Sequence, residues 1–173
     1  MIGCDFVTIK GIKRRIFFYI LNKWLVGTNP RLFKFKRKLL IWSGIKIGKG
    51  SKVVGPIRIT GELEIGENTW IGSGFTIHGN GKVFIGKNCD IAPDVTFSTG
   101  SHEIGDNNRR AGSGYNKDII IEDAVWICTG TTILGGVKIQ KASIIASKAL
   151  VNKDVSSNTL VGGVPAIFIK DLK

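Results

Sequence analysis

Few side chains in this sequence can carry a proton near neutral pH. There are two histidines, His78 and His102, and three cysteines, Cys4, Cys89 and Cys128. An imidazole, whose ordinary pKa is about 6.5, is the group best matched to general-base work in that range. His102 stands in Ser98-Thr-Gly-Ser-His-Glu, at the start of a long polar and glycine-rich stretch, where it can face a substrate. It is the candidate catalytic base, and a surface histidine without a role is the plain alternative. His78 follows Ile77 in surroundings that lend it no chemistry, and it reads as structural. The cysteines are odd in number and show neither a metal-ligand spacing nor a CxxC pair. That pattern points to a reducing, cytoplasmic setting and to no bound metal. Cys128 could accept an acyl group in principle, but like Cys89 it falls at a position that reads as structural.

The element that must hold His102 is a repeat. From Ile47 an aliphatic residue recurs at every sixth position through Val53, Ile59, Ile65, Ile71 and Ile77. After a two-residue phase shift around Gly79-Asn80-Gly81 the pattern continues through Ile85, Ile91 and Phe97. It resumes at Ile121 and runs through Ile127, Ile133, Ile139 and Ile145 to Val151. The fifth position of many hexads is small or modest, as at Ser51, Thr69, Cys89, Val95, Val125, Thr131, Val137, Ser143 and Ala149. A period of six matches neither an amphipathic helix nor simple strand alternation. It matches an all-β solenoid whose flat sides are short strands, with the aliphatic and fifth residues inward and Gly or Asn at corners that need φ > 0. Three hexads close one triangular coil, so the fifteen hexads predict about five coils over 45–159.

Between Phe97 and Ile119 the hexad rule lapses, and residues 98–118 are expected to be a loop thrown out from one corner. Insertions in a solenoid tend to line a functional face. From Phe97 to Ile121 is 24 residues, a multiple of six, so the helix resumes in phase. His102 occupies the sixth position of the hexad that begins at Phe97 and is expected to point outward where the loop departs.

The run Asp94-Val-Thr-Phe-Ser-Thr-Gly-Ser-His102 is followed by Ile121-Glu-Asp-Ala-Val-Trp-Ile127, Thr131-Thr-Ile-Leu-Gly-Gly-Val-Lys-Ile139, Val151-Asn-Lys-Asp-Val155 and Leu160-Val-Gly-Gly-Val-Pro-Ala166. Together these resemble the hexapeptide-repeat acyltransferases, and within them the sugar O-acetyltransferases of the galactoside and maltose type. The resemblance covers 85–170 and extends more loosely back to 45. It implies a left-handed parallel β-helix, whereas the general rule for parallel crossovers gives the opposite hand. It also implies that His102 deprotonates an acceptor hydroxyl, which attacks the thioester of acetyl-CoA directly. The coenzyme is then expected in a groove between subunits of a homotrimer. The matching positions are Trp126, Thr129, Ser147, Asn152 and Lys153, with Lys170 near the CoA phosphates. Asn80 and Arg109 are the candidate acceptor contacts. Either Glu103 or a backbone carbonyl would serve to orient His102. The sequence departs from the pattern at Gly72 and Asn80, which replace an asparagine and an aspartate of the acceptor pocket. It departs again at Cys128, which replaces a glycine, and at Ile167, which replaces a basic residue. The acceptor is therefore not expected to be a galactoside or maltose.

Residues 1–44 precede the repeat as a basic arm, and 160–173 follow it as a cap or tail. The whole-chain charge of +12 is concentrated at the start: residues 1–52 hold 13 Lys and Arg against the single acid Asp5, and the remainder is neutral. Asn29-Pro30 divides the arm into two helices or a helix and a looser segment. Its aromatics, including Phe17, Phe18, Tyr19, Trp24, Phe33, Phe35 and Trp42, interleave with cations, as in an element lying on a membrane surface. A helical lid over the first coil is the plainer reading, and the two are compatible. The apolar run Ile16–Val26 is too short to span a bilayer, and no export signal is evident. No nucleic-acid recognition motif accompanies the charge, so no nucleic-acid partner is expected. With this short basic arm the chain resembles the acetyltransferases of bacterial surface-polysaccharide assembly, which implies O-acetylation of a capsule, O-antigen or exopolysaccharide sugar, free or lipid-linked, in the cytoplasm or at the inner face of the membrane. The alternatives are N-acetylation of a nucleotide-linked amino sugar and a non-catalytic scaffold like some γ-carbonic-anhydrase relatives. A zinc enzyme of that last kind needs three histidines, and the chain has two.

Overall fold

Short strands alternate with corners in which the backbone turns through the left-handed region, and this winds the chain into a parallel β-solenoid. The computed structural model describes residues 9–173, so Cys4 lies outside the described residues. Helix α1 (Ile9–Lys23), a 3-10 turn (Pro30–Leu32) and helix α2 (Phe33–Trp42) come first. Asn29 caps the turn by accepting from the Arg31 amide, with Pro30 in the first turn, which is where a missing N–H costs least.

The first coil is β1 (Lys46–Ile47), β2 (Lys52–Val53) and β3 (Ile57–Ile59). The second is β4 (Glu62–Ile65), β5 (Trp70–Ile71) and β6 (Phe75–His78), and the third is β7 (Lys82–Ile85), β8 (Asp90–Ile91) and β9 (Thr96–Ser98). Strands β10 (Gly100–Ile104) and β11 (Ala111–Asn116) then leave the solenoid. The fourth coil is β12 (Ile119–Ile121), β13 (Trp126–Ile127) and β14 (Thr132–Leu134), and the fifth is β15 (Lys138–Ile139), β16 (Ile144–Ile145) and β17 (Leu150–Val151). A partial sixth turn bridges Val155 to Ile139 and ends with β18 (Thr159–Gly162), on which β19 (Ile167–Asp171) folds back antiparallel. The five coils expected from the hexads are thus complete and a sixth is begun. Residues 160–162 still belong to the solenoid, because β18 pairs parallel with β16.

The coils stack into three faces. The first face is β1-β4-β7-β12-β15, the second β2-β5-β8-β13-β16-β18-β19 and the third β3-β6-β9-β14-β17. Every repeat aliphatic from Ile47 to Val151 is buried except Ile59, which is half-buried at the open first coil. The fifth positions named above are all buried as well. Several of them form a polar spine in which each side chain donates to the next coil: Ser51 Oγ to Gly66 O at 2.6 Å, Thr69 Oγ1 to Gly86 O at 2.8 Å and Cys89 Sγ to Glu122 O at 3.1 Å. A small hydroxyl or thiol can therefore be buried there without an unmet hydrogen bond. Other fifth positions are large, and Phe75 packs on Phe97 with ring centroids 5.3 Å apart. Corners at Asn68 (φ 54), Asn88 (φ 54) and Asp94 (φ 60) adopt the left-handed region that short polar side chains tolerate.

A solenoid leaves the edge of its first coil unpaired, and here the arm closes it. Asn22 both donates to Ile57 O and accepts from Ile57 N, at 2.8 and 2.9 Å, as a neighbouring strand would. Arg14 donates to Ile59 O and Gly61 O, and Arg37 donates to Gly48 O. Lys36 is fully buried over the Phe33 ring and donates to Gly27 O at 2.6 Å and Val54 O at 3.0 Å. Burial pushes its ammonium below the usual lysine pKa.

On the first face Glu122 bonds the Lys138 ammonium at 2.7 Å and accepts from the Lys141 amide at 3.0 Å. Lys138 and then that amide hold the Glu122 carboxyl below its ordinary value of 4.5. A depressed carboxyl pKa adds stability that is complete above the unfolded value and is lost as pH falls through the folded one. The Glu122→Gln variant should therefore show a flatter loss of melting temperature below about pH 4.5 than the parent. Superimposable acid limbs would remove the pair from the stability account.

Candidate active site

The polar insertion is not an irregular loop. Residues 98–118 are built around an antiparallel hairpin in which Gly100 faces Asn116, Ser101 faces Tyr115 and His102 faces Gly114, with an irregularity before Ile104 meets Ala111. Its tip is organised by Asp106, whose Oδ1 accepts from the amides of Asn108 and Arg109, and by an Arg110–Asn107 side-chain bond of 2.7 Å. Arg109 is therefore an exposed tip residue.

The hairpin leaves the corner between the third and first faces, and its root is clamped there. Buried Thr99 donates through Oγ1 to His78 O and accepts from the Gly81 amide. Asn116 Oδ1 accepts from the Asn80 amide at 2.7 Å, and Asp118 Oδ1 accepts from the Lys82 amide at 2.8 Å. These three residues were not legible as functional in the sequence, because each acts on a partner 18 to 36 residues away. Asn116 fixes the root of the strand pair that carries His102. A misplacement of about 1 Å can cost about 10²-fold in rate, so Asn116→Ala should lower any turnover that depends on His102 roughly tenfold while leaving substrate KM unchanged. Asn116→Asp keeps the acceptor oxygen and should restore most of the loss, whereas equal rates for the parent and Asn116→Ala would dismiss the clamp.

His102 is exposed on β10, and its Nδ1 lies 2.9 Å from Gly112 O. A carbonyl can only accept, so Nδ1 donates this bond, and in the neutral ring the lone pair is then on Nε2. Of the two orienting groups considered, the backbone carbonyl makes this bond, and Glu103 is exposed beside it. Gly114 lies across the strand pair from the ring, where an added Cβ would sit 3.5 Å from Cε1.

The other candidate residues fall into two groups. Asn80, Asn152 and Lys153 lie on the same corner edge as the hairpin, between the third and first faces of their coils. Asn80 also borders an open groove of about 480 Å³ between α1 and the first face, with Arg14, Thr60, Glu62, Lys82 and Phe84 among its walls. Trp126 is half exposed on the second face, Thr129 and Ser147 are exposed at the corner that follows it, and Lys170 is exposed on β19 at the end of that face. In a triangular prism the second face lies opposite the hairpin edge. One chain therefore does not bring Trp126, Thr129, Ser147 and Lys170 to His102.

Burial pushes the Cys128 thiol above its ordinary pKa, and a hydrogen bond with Ser147 offsets this only in part. A thiol held protonated is a poor nucleophile. Cys89 is buried and likewise shifted up by burial. Among the described residues no His, Cys, Asp and Glu cluster could hold a metal ion, and no helix is long and apolar enough to cross a membrane.

No protein-family model matches the chain. The galactoside O-acetyltransferase of Lactococcus lactis is 33% identical over 108 residues, which is 59% of this chain and 52% of that enzyme. The chain thus spans about half the length of this curated relative. A hexapeptide-repeat-containing acetyltransferase of Vibrio cholerae, solved in complex with acetyl coenzyme A, superposes with a TM-score of 0.82 at 27% identity, covering 99% of this chain and 93% of that one. A polySia-specific acetyltransferase superposes with a TM-score of 0.64 at 35% identity, covering 73% of this chain and 56% of that one.

Proposed function

We propose that this chain, which is similar to hexapeptide-repeat acetyltransferases, is an acetyl-CoA-dependent O-acetyltransferase with a sugar hydroxyl as acceptor and His102 as the general base. The observation that carries the reading is the Nδ1 contact with Gly112 O, which leaves Nε2 as the proton acceptor on an exposed strand. Nε2 takes the acceptor proton as the hydroxyl oxygen attacks the thioester carbonyl, and the same nitrogen returns it to the departing sulfur. No covalent enzyme intermediate is needed, in keeping with the raised pKa of Cys128. The acyl donor supplies an activated acetyl group.

The placement of Trp126, Thr129, Ser147 and Lys170 opposite the hairpin edge supports a site shared between copies. In that site the hairpin of one chain faces the second face of the next, as in a closed homotrimer. Polar and cationic groups at Thr129, Ser147, Asn152, Lys153 and Lys170 suit a phosphorylated, amide-rich donor. The groove beside Asn80 carries Glu62, Lys82 and the Phe84 ring, a mixture suited to hydroxyls and to one face of a sugar ring. Similarity to a polySia-specific enzyme supports a surface-polysaccharide sugar as acceptor. Arg109, at the hairpin tip, would meet a long acceptor beyond the reacting sugar.

The test follows release of the CoA thiol from acetyl-CoA with a panel of sugars, oligosaccharides and amino sugars, and locates the acetyl group in the product. Acetyl esters on a glycan hydroxyl are expected. Products acetylated only on nitrogen, or no release with any acceptor, would overturn the reading.

A further inference from the structure

Helix α1 is apolar on two opposite sides. Leu21 is buried against the solenoid, flanked by the half-buried Phe17 and Phe18. At 100° per residue the opposite side carries Ile12, Ile16 and Tyr19, which are 49%, 52% and 61% exposed, with Lys23 in line and Lys13 to one side. Helix α2 repeats the arrangement. Phe33, Lys36, Leu39 and Leu40 face inward, and Lys34, Phe35, Lys38, Ile41 and Trp42 face out. The two helices meet through Phe17 and Trp42, whose ring centroids are 6.0 Å apart. Both lie across the open edge of the first coil, held by Asn22, Lys36 and Arg37, so their outer sides face away from the solenoid together.

A lid needs only its inner side to be apolar. Among the described residues Ile12, Ile16, Tyr19 and Phe35 are nonetheless left about half exposed, whereas apolar helix faces are ordinarily buried. The surroundings name the occupant by charge: between Asp5 and Glu62 there is no acidic residue, so the outer surface is cationic and uncompensated by acids of its own segment. Two copies of this face would repel each other. Apolar and aromatic side chains interleaved with lysines match the boundary of an anionic bilayer, where the rings enter the headgroup layer and the ammonium groups meet lipid phosphates.

We propose that the outer face of α1 and α2, centred on Ile12, Ile16, Tyr19, Phe35, Lys34 and Lys38, docks the enzyme on an anionic membrane surface. The inference stands apart from the catalytic reading, since none of these residues belongs to the transfer site. Docking would hold the solenoid by its first-coil end and leave the hairpin edge free to meet acceptors assembled at that surface.

The experiment sediments the full chain with vesicles of phosphatidylcholine alone and with vesicles holding about one quarter phosphatidylglycerol. The parent should partition onto the anionic vesicles and be released by salt. At about fivefold per cation, Lys34→Glu combined with Lys38→Glu should lower partitioning at least about 25-fold. Ile16→Ser combined with Phe35→Ser should lower it about tenfold or more, through lost burial of apolar area. Release of CoA with a soluble acceptor should be unchanged in both, which separates failure of docking from failure of the catalytic proposal. A parent that stays in solution with both vesicles overturns the inference, as does undiminished partitioning of the Ile16 and Phe35 variant. So does an oligonucleotide that binds through the same residues more tightly than the vesicles, or a change in sedimenting mass on altering the face, which would make it an interchain contact. An unshifted thermal melt in the variants shows that the fold is intact, since all four side chains are exposed.

Discussion

Alanine in place of His102 should lower kcat by about 10²–10⁴-fold, the range for loss of a positioned general base. The side chain is exposed on the hairpin and no core contact depends on it, so melting temperature and KM for the acyl donor should be nearly unchanged. A kcat loss without a KM loss is the signature of an interaction made only in the transition state. His102→Asn sharpens the test. Its amide can mimic the Nδ1 donor to Gly112 O but offers no basic nitrogen at the Nε2 position, so geometry survives and catalysis does not. If either variant retains full turnover, proton transfer runs through another group and the role assigned to His102 is wrong. The residual rate in the alanine variant should come from alignment of acceptor and donor alone.

The second large effect is expected in the core. Phe97→Ala should destabilise the chain by about 3–5 kcal/mol, the usual cost of removing a buried phenyl ring whose neighbours cannot collapse into the space. Phe97 is completely buried, packs at a tilt on Phe75 with ring centroids 5.3 Å apart and pairs along the third face with Ile77 and Ile133. It is also the last inward apolar residue of the repeat before the hairpin, two positions from buried Thr99. The cavity would therefore open under the root that carries His102, and activity should fall before global unfolding is reached. Urea titration followed by circular dichroism gives the stability, and CoA release at low urea gives the local effect. A cost below about 1 kcal/mol would mean that the coils close over the gap, contrary to the tight packing seen between Gly66 and the Gly86 backbone.

These expectations draw on different layers of information. The six-residue period was legible because each inward aliphatic is read from its own hexad, and stacking identical turns needs no knowledge of distant partners. Ile127, Ile133, Ile139 and Ile145 are all completely buried, as that period requires. The same reasoning placed Cys89 inside and left His102 outside, since the sixth position of a hexad faces solvent. It also separated the basic arm from the repeat, because composition changes sharply there.

Periodicity says which way a residue faces, not which distant atom it meets. It could not show that the insertion pairs as a hairpin, since its alternation is too polar to mark strands: β11 is Ala-Gly-Ser-Gly-Tyr-Asn. The bond between His102 Nδ1 and Gly112 O spans ten residues and exists only because the hairpin folds the strand holding Gly112 back beside the one that carries His102. Likewise Asn116 reaches Asn80 across 36 residues, and Asn22 reaches Ile57 across 35. The sequence by itself determined the solenoid, its phase and the outward histidine, because these follow from local spacing and burial. Only the tertiary structure decided which ring nitrogen is free, what holds the hairpin, and that Trp126 lies on the face opposite His102, because each depends on backbone groups brought together from separate coils.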